Sequence, residues 1–211
     1  MYFKTEGIIL KRRDFGEADR IVTMFTKDFG KVIALAKGVR RPRSKKAGHL
    51  EHGTWCKVFI AKGKSLDLLT EVETIKSFDI LDLDPDKASK ICHLLELVES
   101  LTPEHQKNYR VFMLLKEYLE KVQKEEDFNL VSGVFKIKLL SSLGFFSATT
   151  LKSSKTKDVF EILENENFAI VKERVNLSKE SYLRLLTFLD NMIENVGQTK
   201  LKTSRFVAFD Y

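Results

Sequence analysis

The chain is poor in cysteine and proline: 211 residues include two cysteines, three prolines and one tryptophan. Cys56 and Cys92 lie far apart and alone, so neither a disulfide framework nor a Cys-x-x-Cys metal or redox motif can be built from them. They read as buried thiols behaving as small hydrophobes. No apolar run reaches the roughly 18 residues that a membrane-spanning helix needs, and Met1–Thr5, interrupted by Lys4, lacks the apolar stretch of a secretory signal. A soluble, cytoplasmic chain is expected. Walker-type glycine loops, G-x-S-x-G elbows and clustered D-x-D motifs are also missing, which removes the common sequence signatures of phosphoryl and acyl transfer. No catalytic residue, metal or cofactor is assigned.

Charge is present but uneven. Residues 1–64 hold 16 lysines and arginines against six acids, whereas the remainder holds 20 against 24, so the overall +6 hides a basic front and a faintly acidic back. A polyanion facing the first part is the natural reading.

Patterning divides the chain at the same place. From Tyr2 to Phe78 the apolar residues come in short, β-branched runs separated by turn signals. Strands are expected near residues 3–12, 19–27, 31–38, 54–62 and 66–77, with Asp14-Phe15-Gly16-Glu17, Lys27-Asp28-Phe29-Gly30 and Lys62-Gly63-Lys64-Ser65 as turns. Five strands in so short a span favour closure into an OB-like barrel, which removes exposed edges. After Phe78 the period shifts to about 3.6, and Asp84-Pro85 supplies a helix cap followed by proline at the first helical position. Helices follow with stripes Ile91/Leu94/Leu95/Val98/Leu101 and Phe112/Leu115/Leu119/Val122, then a third over about 130–143 ending at Gly144. A fourth lies between Ser178 and Gly197. The expected organisation is α+β: a five-stranded OB-fold barrel over residues 1–80, then an all-helical domain over 81–211. An irregular insertion is expected at about 147–177, with Lys152–Lys157 as a loop and Phe168–Val171 as a short strand or an apolar plug.

The strongest motif is Lys37-Gly-Val-Arg40-Arg41-Pro-Arg43-Ser-Lys45-Lys46, six cations in ten residues with no acid. Its self-repulsion calls for a counter-anion, and phosphate contact supplies one while releasing condensed counterions. Lys11, Arg12 and Arg13, and a second cluster of Lys200, Lys202 and Arg205, are each open to a reading as a solvated face. The first is favoured as extending the field because it belongs to the same basic domain. In the fourth strand Cys56, Val58 and Ile60 alternate with Trp55, Lys57 and Phe59. The second set has the chemistry of a base-stacking surface, unless Trp55 instead cements a junction with the second domain. Asp67, Glu71 and Glu73 on the last strand would repel DNA. His49 and His52 form a weak H-x-x-H pair, and Asp14, Glu17 and Asp19 fit salt bridges to Arg12, Arg13 and Arg20 better than a magnesium site.

Several ordered motifs resemble the RecO family of bacterial recombination mediators: Glu6-Gly-Ile-Ile-Leu10, Arg13-Asp-Phe-Gly-Glu-Ala-Asp-Arg20, Phe29-Gly30-Lys31, Ala36-Lys-Gly-Val-Arg40-Arg41-Pro-Arg43-Ser44, Ala47-Gly48, and Leu66-Asp67 with Thr70-Glu71. Phe135–Phe146 and Leu201–Ser204 match more loosely. The resemblance implies an OB domain followed by helices, no enzymatic turnover, binding of single- and double-stranded DNA, and annealing of complementary strands. It also implies loading of RecA with RecR, capture of the acidic tail of single-stranded DNA-binding protein, and association with the nucleoid. Many members carry a four-cysteine zinc site after the helix ending in L-G-F, whereas Leu151–Lys157 here holds no cysteine, so zinc is expected to be absent. Lys136 and Lys138 are the expected contacts for the partner tail, since an acidic peptide needs cations beside an apolar groove.

The expected DNA contacts are therefore Lys37, Arg40, Arg41, Arg43, Lys45, Lys46, Lys11, Arg12, Arg13, Trp55, Lys57 and Phe59. Three rivals stay open on sequence: an RNA- or ribosome-binding OB-fold module, a nuclease using Asp14, Glu17 and Asp19, and a protein adaptor.

Overall fold

A computed structural model describes residues 1–78, 84–124, 127–151, 154–198 and 200–203. Five strands, β1 (Tyr2–Phe15), β2 (Asp19–Thr26), β3 (Gly30–Ala36), β4 (Trp55–Ala61) and β5 (Asp67–Lys76), close into a barrel in the order β1-β2-β3-β5-β4. All pairings are antiparallel except β3 with β5. This is the OB-type barrel expected from the spacing of turns. Alternation places Val22, Met24, Val32, Ala34, Cys56, Val58 and Ile60 in its interior, as the period of two requires.

Strand β1 does more than line the barrel. A bulge between Ile9 and Lys11 shifts its register against β2. Ile9 points into the barrel core, while Ile8 and Leu10, with Phe25 of β2, join the core of the helical half. The two halves thus share one strand.

Six α-helices follow among the described residues: α1 (Pro85–Leu101), α2 (Tyr109–Lys124), α3 (Phe128–Ser142), α4 (Ser154–Asn165), α5 (Phe168–Arg174) and α6 (Lys179–Gly197). The cap expected at Asp84 forms, Ser178 caps the helix it was expected to open, and Asp127 adds a cap not expected from the sequence. The Asp84 carboxylate accepts from the amides of Asp86 and Lys87, Asp127 from Leu130, and Ser178 from Ser181. Helix α3 is apolar on nearly every side and sits at the centre, packed by α1, α2, α4 and α6. The irregular stretch expected at 147–177 is instead largely helical. In α4, Phe160 and Leu163 are buried with Val159 and Ile162 packed beside them, a helical stripe hidden by its polar opening. Phe168 and Val171, expected as strand or plug, lie on the buried face of α5, where Phe168 meets Tyr118 edge to face at 6.0 Å. Gly197 is the last residue of α6, and the left-handed residue that ends the helix is Gln198, at φ 51°.

The chain closes on itself at α1. The Glu96 carboxylate accepts from the Lys202 amide at 2.9 Å, from the Thr203 amide at 2.8 Å, and from the Thr203 hydroxyl. With that hydroxyl donating to Glu96, it accepts from Nδ1–H of His93 at 2.9 Å. His93 Nε2 is then buried with no hydrogen-bond partner among the described residues. Burial, helped by the nearby Lys136 ammonium, holds the imidazole well below its ordinary value of 6.5, so it is neutral.

The barrel also docks through backbone. The His105 amide donates to the Lys31 carbonyl at 2.9 Å, and Lys107 lies 3.7 Å from Asp28. Gly30, at φ 67°, makes this approach fit, because a Cβ there would sit 2.0 Å from the Gln106 carbonyl oxygen. Gly16 has a similar φ of 57° with nothing within 4 Å.

Two outcomes are expected. Gly30→Ala lowers unfolding free energy by about 2–5 kcal/mol, through left-handed strain plus overlap, whereas Gly16→Ala costs about 1–2 kcal/mol from strain alone; urea titration separates them. Unfolded, His93 takes up a proton as the pH falls through its ordinary 6.5, whereas folded it stays neutral to much lower pH. Stability is therefore full above pH 6.5 and declines below it, by up to about 1.4 kcal/mol per pH unit. His93→Asn, which keeps a donor toward Thr203, flattens that slope in urea midpoints measured between pH 8 and 5.

Candidate nucleic-acid interface

The basic loop joins β3 to β4 and is pinned at both ends by buried side chains. Val39 and Leu50 are fully buried in the barrel core. Gly38, at φ 64°, turns the chain, and its amide donates to Asp19 Oδ1 at 2.7 Å. Arg40 binds the β1–β2 turn: its amide donates to the Ala18 carbonyl at 2.9 Å, Nη1 to the Gly16 carbonyl at 3.3 Å, and Nε lies 3.3 Å from Asp14. Arg41 and Ser44 amides close two local turns. The segment is thereby fixed against the end of the barrel.

This anchoring sorts the cations. Arg40 is partly neutralised by Asp14, which also accepts from Arg20 Nε at 3.0 Å. The Arg20 hydrogen bond, with Arg40 and Arg12 nearby, holds the Asp14 carboxyl below its ordinary range. Arg12 pairs with Glu51, and Lys11 lies 3.7 Å from Glu99. Lys46 is half-buried, its ammonium 3.5 Å from the Leu69 carbonyl. Lys37, Arg41, Arg43, Lys45 and Arg13 are exposed and carry no ion pair among the described residues. Within the basic loop and the run at residues 11–13, these five are the exposed cations without an ion pair among the described residues.

The expected stacking surface on β4 fares differently. Trp55 is the junction residue: its Nε1 donates to Glu6 at 3.1 Å, and the Lys116 ammonium of α2 sits 3.8 Å from the ring centroid. Its donor and one face are taken, so it is not a free platform for bases. Lys57 lies opposite Glu6 on β1 and Glu73 on β5, and Phe59 opposite Lys4 and Glu71. Phe59 stacks on Tyr2, 5.7 Å apart at 11°. Lys57 is exposed between two acidic cross-strand neighbours, which weakens the positive potential around it.

The partner-tail assignment needs a larger correction. Lys136 is 1% exposed, with its ammonium 2.6 Å from Asp190 of α6. Burial lowers its affinity for the proton and Asp190 restores part of it. No external peptide reaches it. Lys138 is half-buried and donates to the carbonyls of Glu164 and Glu166, at 2.9 and 2.7 Å. A signal existed for this: a helix apolar all round is interior, so a lysine within it needs an internal partner. Asp190 itself carried no such mark.

No group of three or more His, Cys, Asp or Glu able to hold a metal occurs among the described residues. Asp14 and Asp19 fall in successive cross-strand pairs and therefore on opposite faces of the ribbon, which separates two of the three acids a nuclease would use. His49 is spent on Thr74, 2.7 Å away. Arg205 of the second basic cluster lies outside the described residues.

Comparison with known proteins agrees with this architecture. Residues 1–78 match the family model described as Recombination protein O N terminal, and residues 83–207 that described as Recombination protein O C terminal. The chain belongs to the RecO family. Similar curated proteins include DNA repair protein RecO of Alkaliphilus metalliredigens, 37% identical over 68% of this chain and 59% of that one. Those of Pelotomaculum thermopropionicum and Dehalococcoides mccartyi are 31% and 35% identical over 68% of this chain and 56% of theirs. The chain thus aligns with just under three fifths of the length of these relatives. The four-cysteine zinc site of many RecO proteins does not fit the residues present, because the α3–α4 connection contains no cysteine. Glu164 organises that connection instead, accepting from Ser141 Oγ at 2.6 Å and the Ala148 amide at 2.8 Å, while Phe146 packs on Phe160 at 5.4 Å.

An internal role for Lys136 has a clear test. Asp190→Ala strands a buried ammonium and lowers stability by about 3–5 kcal/mol, whereas Lys136→Met with Asp190→Leu restores it to wild-type or better. Chemical denaturation of the single and double variants checks the non-additivity.

Proposed function

We propose that this RecO-family chain acts in DNA repair as a non-enzymatic recombination mediator, binding single- and double-stranded DNA through the β3–β4 loop and annealing complementary strands. The observation that carries the reading is the set of exposed, unpaired cations Lys37, Arg41, Arg43 and Lys45 on a loop held rigid by Val39, Leu50 and the Arg40 clamp. A preformed basic loop meets phosphates without losing conformational freedom on binding. Screening phosphates on two strands at once lowers their mutual repulsion, and base pairing then proceeds without covalent chemistry. The names of the relatives, each a DNA repair protein, support the same assignment.

The partners carried by this reading are RecR, single-stranded DNA-binding protein and, through them, RecA, in the bacterial cytoplasm at the nucleoid. With Lys136 interior, the place for an acidic tail moves to the groove beside Lys138, where Tyr109, Arg110 and Met113 are exposed. Lys138 Nζ keeps one N–H beyond its two carbonyl bonds.

Arg41→Ala with Arg43→Ala is expected to weaken binding to a labelled oligonucleotide at least about tenfold near 0.1 M salt. It should also reduce the slope of log K against log salt by about 0.7 per cation removed on single strands. Anisotropy titrations across a salt series measure both. An unchanged slope excludes the loop, and stronger binding to matched RNA than to DNA favours an RNA-binding module.

A further inference from the structure

We infer that the ring of Phe15 is the base-stacking element of this interface and biases it toward unpaired strands. The inference rests on the DNA reading above and adds a residue that the sequence pattern passed over. Phe15 ends β1 at the tip of the β1–β2 turn and is 50% exposed. Of the other exposed aromatics, Tyr2 lies on Phe59, Phe29 on Phe3 and Phe188 on Phe160, while Tyr109 opens α2 and Phe145 follows α3, both in the helical half and outside the basic loop. Phe15 has no ring or cation over it among the described residues.

Its position ties it to the basic loop. The cross-strand partner of Phe15 is Asp19, whose carboxylate receives the Gly38 amide that begins the loop. Two carbonyls of the turn, Gly16 and Ala18, receive Arg40. The ring is therefore carried on a turn clamped from the loop side by three hydrogen bonds. Arg13, two residues earlier on the same face of β1, is exposed and without an ion pair among the described residues, so a phosphate-seeking charge stands beside the ring. A rigid aromatic next to unpaired cations has the composition of a single-strand platform, and the first loop of an OB barrel is one of the two that such barrels turn toward oligonucleotides. Bases of a duplex already stack on each other and offer this ring no face, whereas an unpaired strand does.

The test compares full-length Phe15→Ala, Phe15→Leu, Phe15→Trp and the Arg41→Ala/Arg43→Ala pair by anisotropy on a labelled oligo-dT and on a duplex of equal length. Thermal midpoints establish that each variant is folded. Phe15→Ala and Phe15→Leu are expected to lose at least about five-fold on oligo-dT, the lower end of what one stacked base contributes, with duplex affinity unchanged. Phe15→Trp retains affinity, and its emission is quenched by oligo-dT beyond the wild-type change. Full affinity in Phe15→Leu, or equal loss on both substrates, overturns stacking. Loss in the arginine pair with none in Phe15→Ala overturns this inference and leaves the DNA reading standing; no loss in either set removes both.

Discussion

Residues 7–10 of β1 are shielded from water on both faces, and the rest of the architecture follows from that double burial. A barrel strand ordinarily has one wet face. Here Ile9 faces the barrel while Ile8 and Leu10 face the helices, so the apolar area lost from either core on separating the halves belongs to the same short segment. Each buried aliphatic side chain is worth roughly 1.5–3 kcal/mol. Lys31, whose ammonium donates to the Glu99 carbonyl at 2.7 Å, and the Gly30–Gln106 approach reinforce the contact from β3. The far end of β1, beyond the bulge, is left free of β4, and the β1–β2 turn there meets the basic loop.

Much of this was legible in the sequence, for identifiable reasons. Alternation across Cys56, Val58 and Ile60, turn residues at regular spacing and the cap at Asp84-Pro85 are local signals, and local signals are what a single sequence carries. What escaped depends on partners distant in the chain. Lys136 looked like a groove cation because Asp190 lies 54 positions away. Trp55 could be read as a stacking or as a junction residue, and nothing near it in sequence announces Lys116 or Glu6, whose contacts favour the junction. Helix α4 was hidden for a different reason: its opening is polar and its apolar stripe is short, so composition outweighed period.

The same distinction governs the interface. Six cations in one loop were visible at once, but their availability was not, since it is decided by carboxylates on other strands. Asp14 occupies Arg40 and Arg20, Glu51 occupies Arg12, and Glu6 with Glu73 flanks Lys57. Within the basic loop and its neighbours, these pairings leave the outer part of the loop and Arg13 near the tip of the β1–β2 ribbon without an ion pair among the described residues. The neutralised cations hold the loop in place, so that the remaining charges stand at fixed positions.

The clamp of Glu96 and His93 on Thr203 has a meaning for motion as well as for stability. It joins the first helix to the segment after the last one, so the helical half is closed into a ring by hydrogen bonds much as the barrel is closed by its strands. Within such a ring neither α1 nor α6 frays independently of the other. Opening α6 locally requires releasing α1 at the same time, which gathers otherwise separate fluctuations into one larger and rarer event. Amides of α1 and α6 then exchange with solvent as a single cooperative unit, slow at both ends of the sequence that builds it.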